Sequence, residues 1–529
     1  MFFSKTPQPI NPPSPPPPPS WADAVRKALA EELGESSRGP DDLLYFPGSP
    51  EFADSETGFH TAQANEVRSA AVARPTSTAE VSALVKALRR SLLPSMPLAV
   101  RGGGHATYAG AAKAAGGVTI DTRGVRGIEI LKGAVVVVAV RACASRRATA
   151  GATCARPAAH DGGRARGAGG RRGFLLGGGV SFFSYQHGFG ADLVTAWEVV
   201  LASGRVVCAT APSSEGKDGK NGSGADEDTE DLWDALRGGS TNFGIVTAVE
   251  MECFPHPKHF RCAYMFYLTP ARQSTLEALV KGQAEPVVDH VIWSISHVPY
   301  VPVKILAVSS SSTGAAGQDG LSELVTPWSR IPGTATPREV KHSAYAKEVG
   351  DFACKDGSRN AYKAISVKLD LDLLNTIVDM WYDLIRATRH RAGYMNTLAF
   401  LPRPGLYDRS VLRPAEWCSR NQSRRQLLRP PPRRRALVIV EICHNWHSAA
   451  DDPAAFGAVD DFLRDVDRVA TERGPGMPLG LHQLRAARRE GDSGLRRRKA
   501  LPIEACSIAL GSRRFLSETC GRGFKIEES

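Results

Sequence analysis

Three consecutive glycines between an arginine and a histidine, Arg101-Gly102-Gly103-Gly104-His105, combine bare backbone with a nucleophile. Without Cβ atoms over about 10 Å of extended chain, amide groups can approach a diphosphate that side chains would otherwise screen. The imidazole that ends the run can act as nucleophile, acid or base. By itself the run reads equally as a tight turn followed by a surface histidine. It is not the G-x-G-x-x-G dinucleotide fingerprint, and no such fingerprint or phosphate-loop lysine follows. A second triple glycine stands in Gly173-Phe-Leu-Leu-Gly-Gly-Gly-Val-Ser181, and a third glycine-bearing loop in Arg237-Gly-Gly-Ser-Thr-Asn-Phe-Gly-Ile-Val246. Three such loops, each beside an apolar strand, would wrap a ligand longer than a mononucleotide.

The elements that must position these loops follow from periodicity. Ala22, Val25, Leu29 and Leu33 share one helical face, broken by Gly34 to Pro40. Ala70 to Ala73 predicts a short strand, and Pro75 to Thr78 a turn ending in a helix cap. Ala79 to Arg89 is an amphipathic helix with Val81, Leu84, Val85 and Leu88 inward, and Pro97 to Val100 is a strand that runs into the first glycines. The apolar Phe174 to Leu176 is read as a strand before the second glycines. Trp197 to Leu201 and Arg205 to Ala209 predict a hairpin about Ser203-Gly204. Further on, 363–387 reads as strand then helix, 436–444 as a strand, and 456–469 as an amphipathic helix.

The combination of Arg101 to His105, Gly173 to Ser181, Trp197-Glu-Val-Val-Leu201 and Asp231-Leu-Trp-Asp-Ala-Leu-Arg-Gly-Gly-Ser-Thr-Asn-Phe-Gly-Ile-Val246 resembles the berberine-bridge-enzyme-like FAD-linked oxidoreductases. That family belongs to the vanillyl-alcohol-oxidase superfamily, whose FAD-binding domain is called PCMH-type. The terminal Gly523-Phe-Lys-Ile526 is similar to the way such chains end. The resemblance implies a two-domain α+β fold. An FAD-binding domain would cover 42–255 and a substrate-binding domain of antiparallel sheet backed by helices 256–474. Residues 1–41 would be a proline-rich disordered tail and a short helix, and 475–529 a segment that completes the FAD domain. The resemblance also implies that a ring nitrogen of His105 is bonded to the 8α-methyl of FAD. Arg101, Gly102, Gly103, Gly104, Gly178 and Gly179 would cradle the diphosphate, with Asn242, Gly244 and Val246 near the pyrimidine edge of the flavin. Some relatives carry a second, cysteinyl link just before the second glycine cluster. Cys154 lies too far upstream for it, so a single link is expected.

Composition narrows the alternatives. The chain has 529 residues, 42% of them hydrophobic and 23% charged, which calls for two domains. No run approaches the roughly 20 apolar residues of a membrane-spanning helix. The net charge of +11 is local: 141–172 contributes +7, 419–435 contributes +7 and 485–500 contributes +5, leaving the remainder at −8. These arginine-rich stretches lack interleaved aromatics and zinc-finger spacing, which argues against nucleic-acid binding. The ten cysteines form no CxxC pair, and no metal site is expected. The first 20 residues show no signal-peptide pattern, so the cytoplasm is the expected compartment, with secretion the alternative if the true start lies elsewhere.

The chain also departs from the family. Between 142 and 172 an Ala/Arg/Gly medley replaces a strand, a helix and a glycine loop, and 419–435 and 477–500 are similarly arginine-rich. Such segments resemble frame-shifted or retained intron sequence, the alternative being a basic insertion. The family's Asn-Tyr motif has no counterpart, because no tyrosine follows Tyr407. Oxidation of an alcohol at flavin needs a base for the hydroxyl proton. The candidate is Glu441, with His444, Tyr264 and His297 as further options. The expected activity is that of an oxidase acting on a small alcohol, sugar or secondary metabolite, with dioxygen as acceptor and hydrogen peroxide as product. The alternative is a flavin-binding protein impaired in turnover, or a faulty translation of such an enzyme.

Overall fold

Apolar stripes on two neighbouring helices open the fold. Helix α1 (Ala22–Leu33) buries Ala22, Val25, Ala28 and Leu29. It packs in one core with α4 (Thr78–Ser91), which buries Val81, Leu84, Val85 and Leu88. The computed structural model describes residues 19–36, 38–91, 96–126, 129–131, 134–138, 170–184, 188–210, 227–252, 260–282, 290–299, 303–312, 324–341, 344–345, 348, 358–403 and 437–473. The basic segments 419–435 and 477–500, nearly all of 141–172 and the C-terminal 475–529 lie outside the described residues.

Between α1 and α4 come β1 (Leu44–Tyr45), α2 (Pro50–Glu56), α3 (Ala62–Glu66) and β2 (Ala71–Ala73). Strands β3 (Leu98–Arg101) and β4 (Val118–Asp121) follow, giving a four-stranded sheet in the order β1-β2-β4-β3. Strand β4 is parallel to both its neighbours, and β1 closes the edge antiparallel. At the start of α4 the cap is Ser77, one residue before the expected position: its hydroxyl accepts from the Glu80 amide at 3.2 Å. A five-stranded antiparallel sheet follows, built from β5 (Glu129–Leu131), β6 (Ala134–Val138), β7 (Val194–Val200), β8 (Val206–Thr210) and β9 (Ile245–Glu252), in the order β5-β6-β9-β7-β8. Strands β7 and β8 are the expected hairpin, turned at Gly204 with φ 82°. Helices α5 (Gly170–Leu176) and α6 (Glu227–Leu236) flank this sheet.

Helix α5 corrects one expectation. The apolar Phe174 to Leu176 is helical, not a strand, because the glycines behind it close helical turns: Gly177 N–H donates to Gly173 C=O at 3.1 Å and Gly178 N–H to Leu175 C=O at 2.9 Å. A short apolar run carries too little periodicity to separate the two.

The third sheet has eight strands: β10 (Phe260–Tyr267), β11 (His290–His297), β12 (Ile305–Ser312), β13 (Thr334–Ala335), β14 (Arg338–Val340), β15 (Arg359–Lys368), β16 (Met395–Arg403) and β17 (Leu437–Trp446). The order is β13-β10-β12-β11-β16-β17-β15, with β14 also on β10, and every pairing is antiparallel. Helices α7 (Arg272–Gly282), α8 (Leu371–Thr388) and α9 (Asp452–Glu472) cover one face. Helix α8 starts where Asp370 accepts from Leu373 N–H at 2.9 Å, and it buries Leu373, Leu374, Ile377, Val378, Trp381, Leu384 and Ile385. Period-two alternation sends Trp293, Ile295, Leu398, Phe400, Val438, Val440 and Ile442 into the core beneath these helices. The other face carries a small buried cluster of Ala364, Ala399, Leu401 and Ile439.

Candidate functional site

Arg101 ends β3, and its side chain is buried. It is 1% exposed, donates to the Ser55 and Thr57 carbonyls (2.7 Å to the latter) and lies 4.0 Å over the Phe59 ring. Burial pulls its pKa down to about 10, and nearby Asp121 partly offsets this. Lys113 is equally buried. It donates to the Glu56 carbonyl at 2.7 Å, pairs with the Glu56 carboxylate at 3.3 Å and lies 4.8 Å from the Phe59 ring centre. Two cations thus brace the segment Ser55 to Phe59 beneath the first glycine loop. Gly104 has φ 73°, and a Cβ there would meet Phe59 Cδ1 at 3.2 Å. Backbone at 102–104 is therefore what this loop offers a ligand.

His105 is exposed at the end of this run, and its ring stacks on His60, centroids 5.2 Å apart and planes 19° apart. His60 N–H also donates to the Gly104 carbonyl at 3.0 Å. Neither Phe59, His60, Gln63 nor Lys113 was legible as a site residue, since their segments carry no motif and only the fold brings them to the loop.

The second and third glycine loops are tied together. Gly178 and Gly179 have φ of 102° and 80°. Their carbonyls accept from Ala191 N–H at 2.9 Å and Gly190 N–H at 2.7 Å, and Ser240 N–H donates to Leu176 C=O at 3.1 Å. Arg237 pairs with Asp192 at 3.1 Å and lies 4.0 Å over the Trp233 ring. Burial lowers its pKa, opposed by Asp192 and Asp234. Asn242 donates to the Gly239 carbonyl at 2.8 Å. At Gly244, φ 147°, a Cβ would sit 2.6 Å from Val199 Cγ1, so the glycine permits close approach of β7. Val246 is buried in the core of the five-stranded sheet.

The face of the eight-stranded sheet opposite the helices carries Glu441. Glu441 pairs in register with Ala364 and Ala399 and is half-buried. Beside it, Ala364, Ala399, Leu401 and Ile439 form a small apolar cluster against which Val180, from the second glycine loop, packs. Tyr264 lies on the same face toward the other edge, 5.8 Å from the Tyr345 ring, and burial pushes its phenol far up. The two histidines lie on the helix-covered face. His444 is fully buried, meets Asn396 Nδ2 through Nδ1 at 3.1 Å and packs edge-on to Tyr394 at 5.0 Å. Burial, helped by Arg391, brings its pKa down to about 3. His297 packs 5.5 Å from Tyr394, and burial together with Lys304 and Arg389 lowers its pKa. Of the four base candidates, Glu441 and Tyr264 thus share the face that meets the glycine loops, whereas His444 and His297 do not.

Segment 60–66 joins the first loop to this sheet. The Gln63 amide donates to the Thr107 carbonyl at 2.6 Å and to the Asn360 carbonyl at 2.7 Å, and Ala62 N–H donates to Ser358 C=O at 3.0 Å. Arg359 pairs with both Glu66 and Asp452.

Residues 69–210 match the FAD binding domain family. The chain is 33% identical over 236 residues to the FAD-dependent monooxygenase prx3 of Penicillium roqueforti, covering 44% of this chain and 42% of that protein. It is 25% identical over 473 residues to the FAD-dependent monooxygenase tpcD of Cochliobolus heterostrophus, covering 84% and 82%. Among solved structures, a chitooligosaccharide oxidase superposes with a TM-score of 0.63 at 16% identity, covering 95% of this chain and 100% of that one. The Physcomitrella patens BBE-like 1 protein gives 0.60 at 16% identity, covering 93% and 97%. Residues 69–210 thus form an FAD binding domain within a PCMH-type FAD-binding fold, and the chain spans less than half the length of the first of these relatives. The BBE-like 1 protein and the chitooligosaccharide oxidase share this fold. The left-handed φ at Gly104, Gly178 and Gly179, with Phe59 packed on Gly104 and Phe174 on Gly179, keeps these loops as bare backbone, which fits a long diphosphate cofactor. No helix among the described residues is long and apolar enough to cross a membrane.

Proposed function

We propose that this chain is an oxidase that holds FAD through a single covalent bond to His105 and oxidises a small alcohol, sugar or secondary metabolite. The observation that carries the reading is one juxtaposition: Val180 of a glycine loop lies against the sheet face that bears Glu441. A ligand laid along the glycine loops would meet its substrate there, at a boundary of the kind where pockets commonly form. When bound, FAD supplies the two-electron acceptor, and dioxygen regenerates it with release of hydrogen peroxide. The backbone of 102–104 and 178–179 holds the diphosphate. The stretch Asn242 to Val246 runs near the pyrimidine edge and contributes main-chain groups, since Val246 itself is packed inward. Glu441 takes the substrate hydroxyl proton as the neighbouring C–H bond is broken. The reading divides the chain into an FAD-binding unit over 42–255 and a substrate-binding unit over 256–474.

Oxidase names among the structural neighbours support peroxide release; one is a xylooligosaccharide oxidase from Myceliophthora thermophila C1. The monooxygenase names of the sequence relatives favour a second reading, in which one oxygen atom enters the product. Acid precipitation of the purified protein tests the tether. A yellow pellet is expected from the parent and a colourless one from His105→Ala; equal colour in both pellets overturns the assignment. Turnover of a panel of alcohols and sugars under isotopically labelled dioxygen then separates the readings: peroxide with unlabelled product is expected, and label in the product selects the monooxygenase. A yellow protein inert on the whole panel would be an impaired flavin binder.

A further inference from the structure

We infer that His60 is a positioning residue that sets the orientation of the His105 imidazole for its attachment to FAD; this rests on the reading of His105 as the tether. Segment 60–66 grips the first loop at three points. His60 N–H holds the Gly104 carbonyl at 3.0 Å, the His60 ring lies nearly parallel to that of His105 with centroids 5.2 Å apart, and Gln63 holds the Thr107 carbonyl at 2.6 Å. The same segment is anchored on the far side through Ala62 to Ser358, just before β15, and through Gln63 to Asn360 within it. The residue before it, Phe59, lies beneath the Arg101 guanidinium and the Lys113 ammonium. His60 therefore projects from one of the most firmly braced stretches around the loop, while His105 stands on the exposed end of a triple glycine.

The chemistry needs such a brace. In the net reaction the imidazole N–H and one C–H of the flavin 8α-methyl are broken and an N–C bond forms. The two hydrogens and two electrons pass to dioxygen, giving hydrogen peroxide. The ring nitrogen must approach that carbon along its lone pair, which only some imidazole rotamers allow. A flat ring stacked on its face restricts rotation about χ2 without itself occupying the ring edge, where both nitrogens lie.

The test compares the full-length parent with His60→Ala, His60→Phe and His105→Ala, produced in one host and freed of unbound flavin by gel filtration. Flavin is then measured per protein in the acid pellet, as covalent, and in the supernatant, as bound but untethered. His60→Ala is expected to lower pellet flavin by on the order of tenfold and to raise supernatant flavin, because misorientation slows bonding without emptying the site. His60→Phe, which keeps a flat ring, is expected to stay within about threefold of the parent. Pellet flavin in His60→Ala equal to the parent overturns the inference. So does a His60→Phe protein whose flavin is all in the supernatant, and so does loss of flavin from both fractions in both variants, the mark of a merely structural role. His105→Ala should show supernatant flavin only. Pellet flavin there refutes the tether itself, a result distinct from any failure at His60.

Discussion

At the scale of single residues, burial separates the base candidates that sequence alone left side by side. Glu441 is half-buried on the sheet face opposite the helices, and Glu441→Gln should lower kcat by on the order of a hundredfold or more while leaving covalent flavin intact. Steady-state kinetics beside pellet flavin checks this, and an unchanged kcat would move the base elsewhere. His444 belongs to the core instead. Its pKa falls from 6.5 in an unfolded chain to about 3 in the fold, so between these values the unfolded state binds a proton that the native state refuses. Its contribution is complete above pH 6.5 and is lost progressively as pH falls toward 3. His444→Gln should therefore flatten the acid limb by up to about 1.4 kcal/mol per pH unit in this window. Urea midpoints at about pH 7 and about pH 5 measure it, and identical slopes in parent and variant would contradict the burial argument.

Elements decide how bare backbone reaches the ligand. The first loop leaves β3 in register with β4 and turns at Gly104, whose left-handed φ and closeness to Phe59 both exclude a side chain. Gly104→Ala should cost about 1–2 kcal/mol for the backbone conformation alone. Displacement of the loop should also reduce pellet flavin, and thermal unfolding with flavin quantification reads both effects. That Gly104 needs this conformation was not legible in the triplet Gly102 to Gly104, because three neighbouring glycines look alike until the chain's path selects one. The helix at Gly170–Leu176 was misread for a related reason: three apolar residues fit either period, and the closing bonds come from the glycines that follow.

For the whole molecule, segment 60–66 links the first loop to the eight-stranded sheet, among the described residues, through Gln63 and the pair of Glu66 with Arg359, which Asp452 also holds. The two carboxylates raise the Arg359 pKa, so the cation persists across the working pH range. Arg359→Met should loosen this join and lower kcat/KM by about tenfold while covalent flavin persists; retention of full kcat/KM would show that the latch does not set the geometry. By itself the sequence determined the glycine loops, the amphipathic helices α1, α4, α8 and α9 and the β7–β8 hairpin. Each is a local pattern that burial or backbone sterics enforces over a few residues. It did not determine that Arg101 points inward, that Phe59, His60 and Lys113 stand beneath or beside the loop, or that Glu441 and His444 face opposite ways on one strand relative to the ligand. Those depend on which sheet face receives helices and on contacts between residues as far apart as Gln63 and Asn360, for which no short-range periodicity exists.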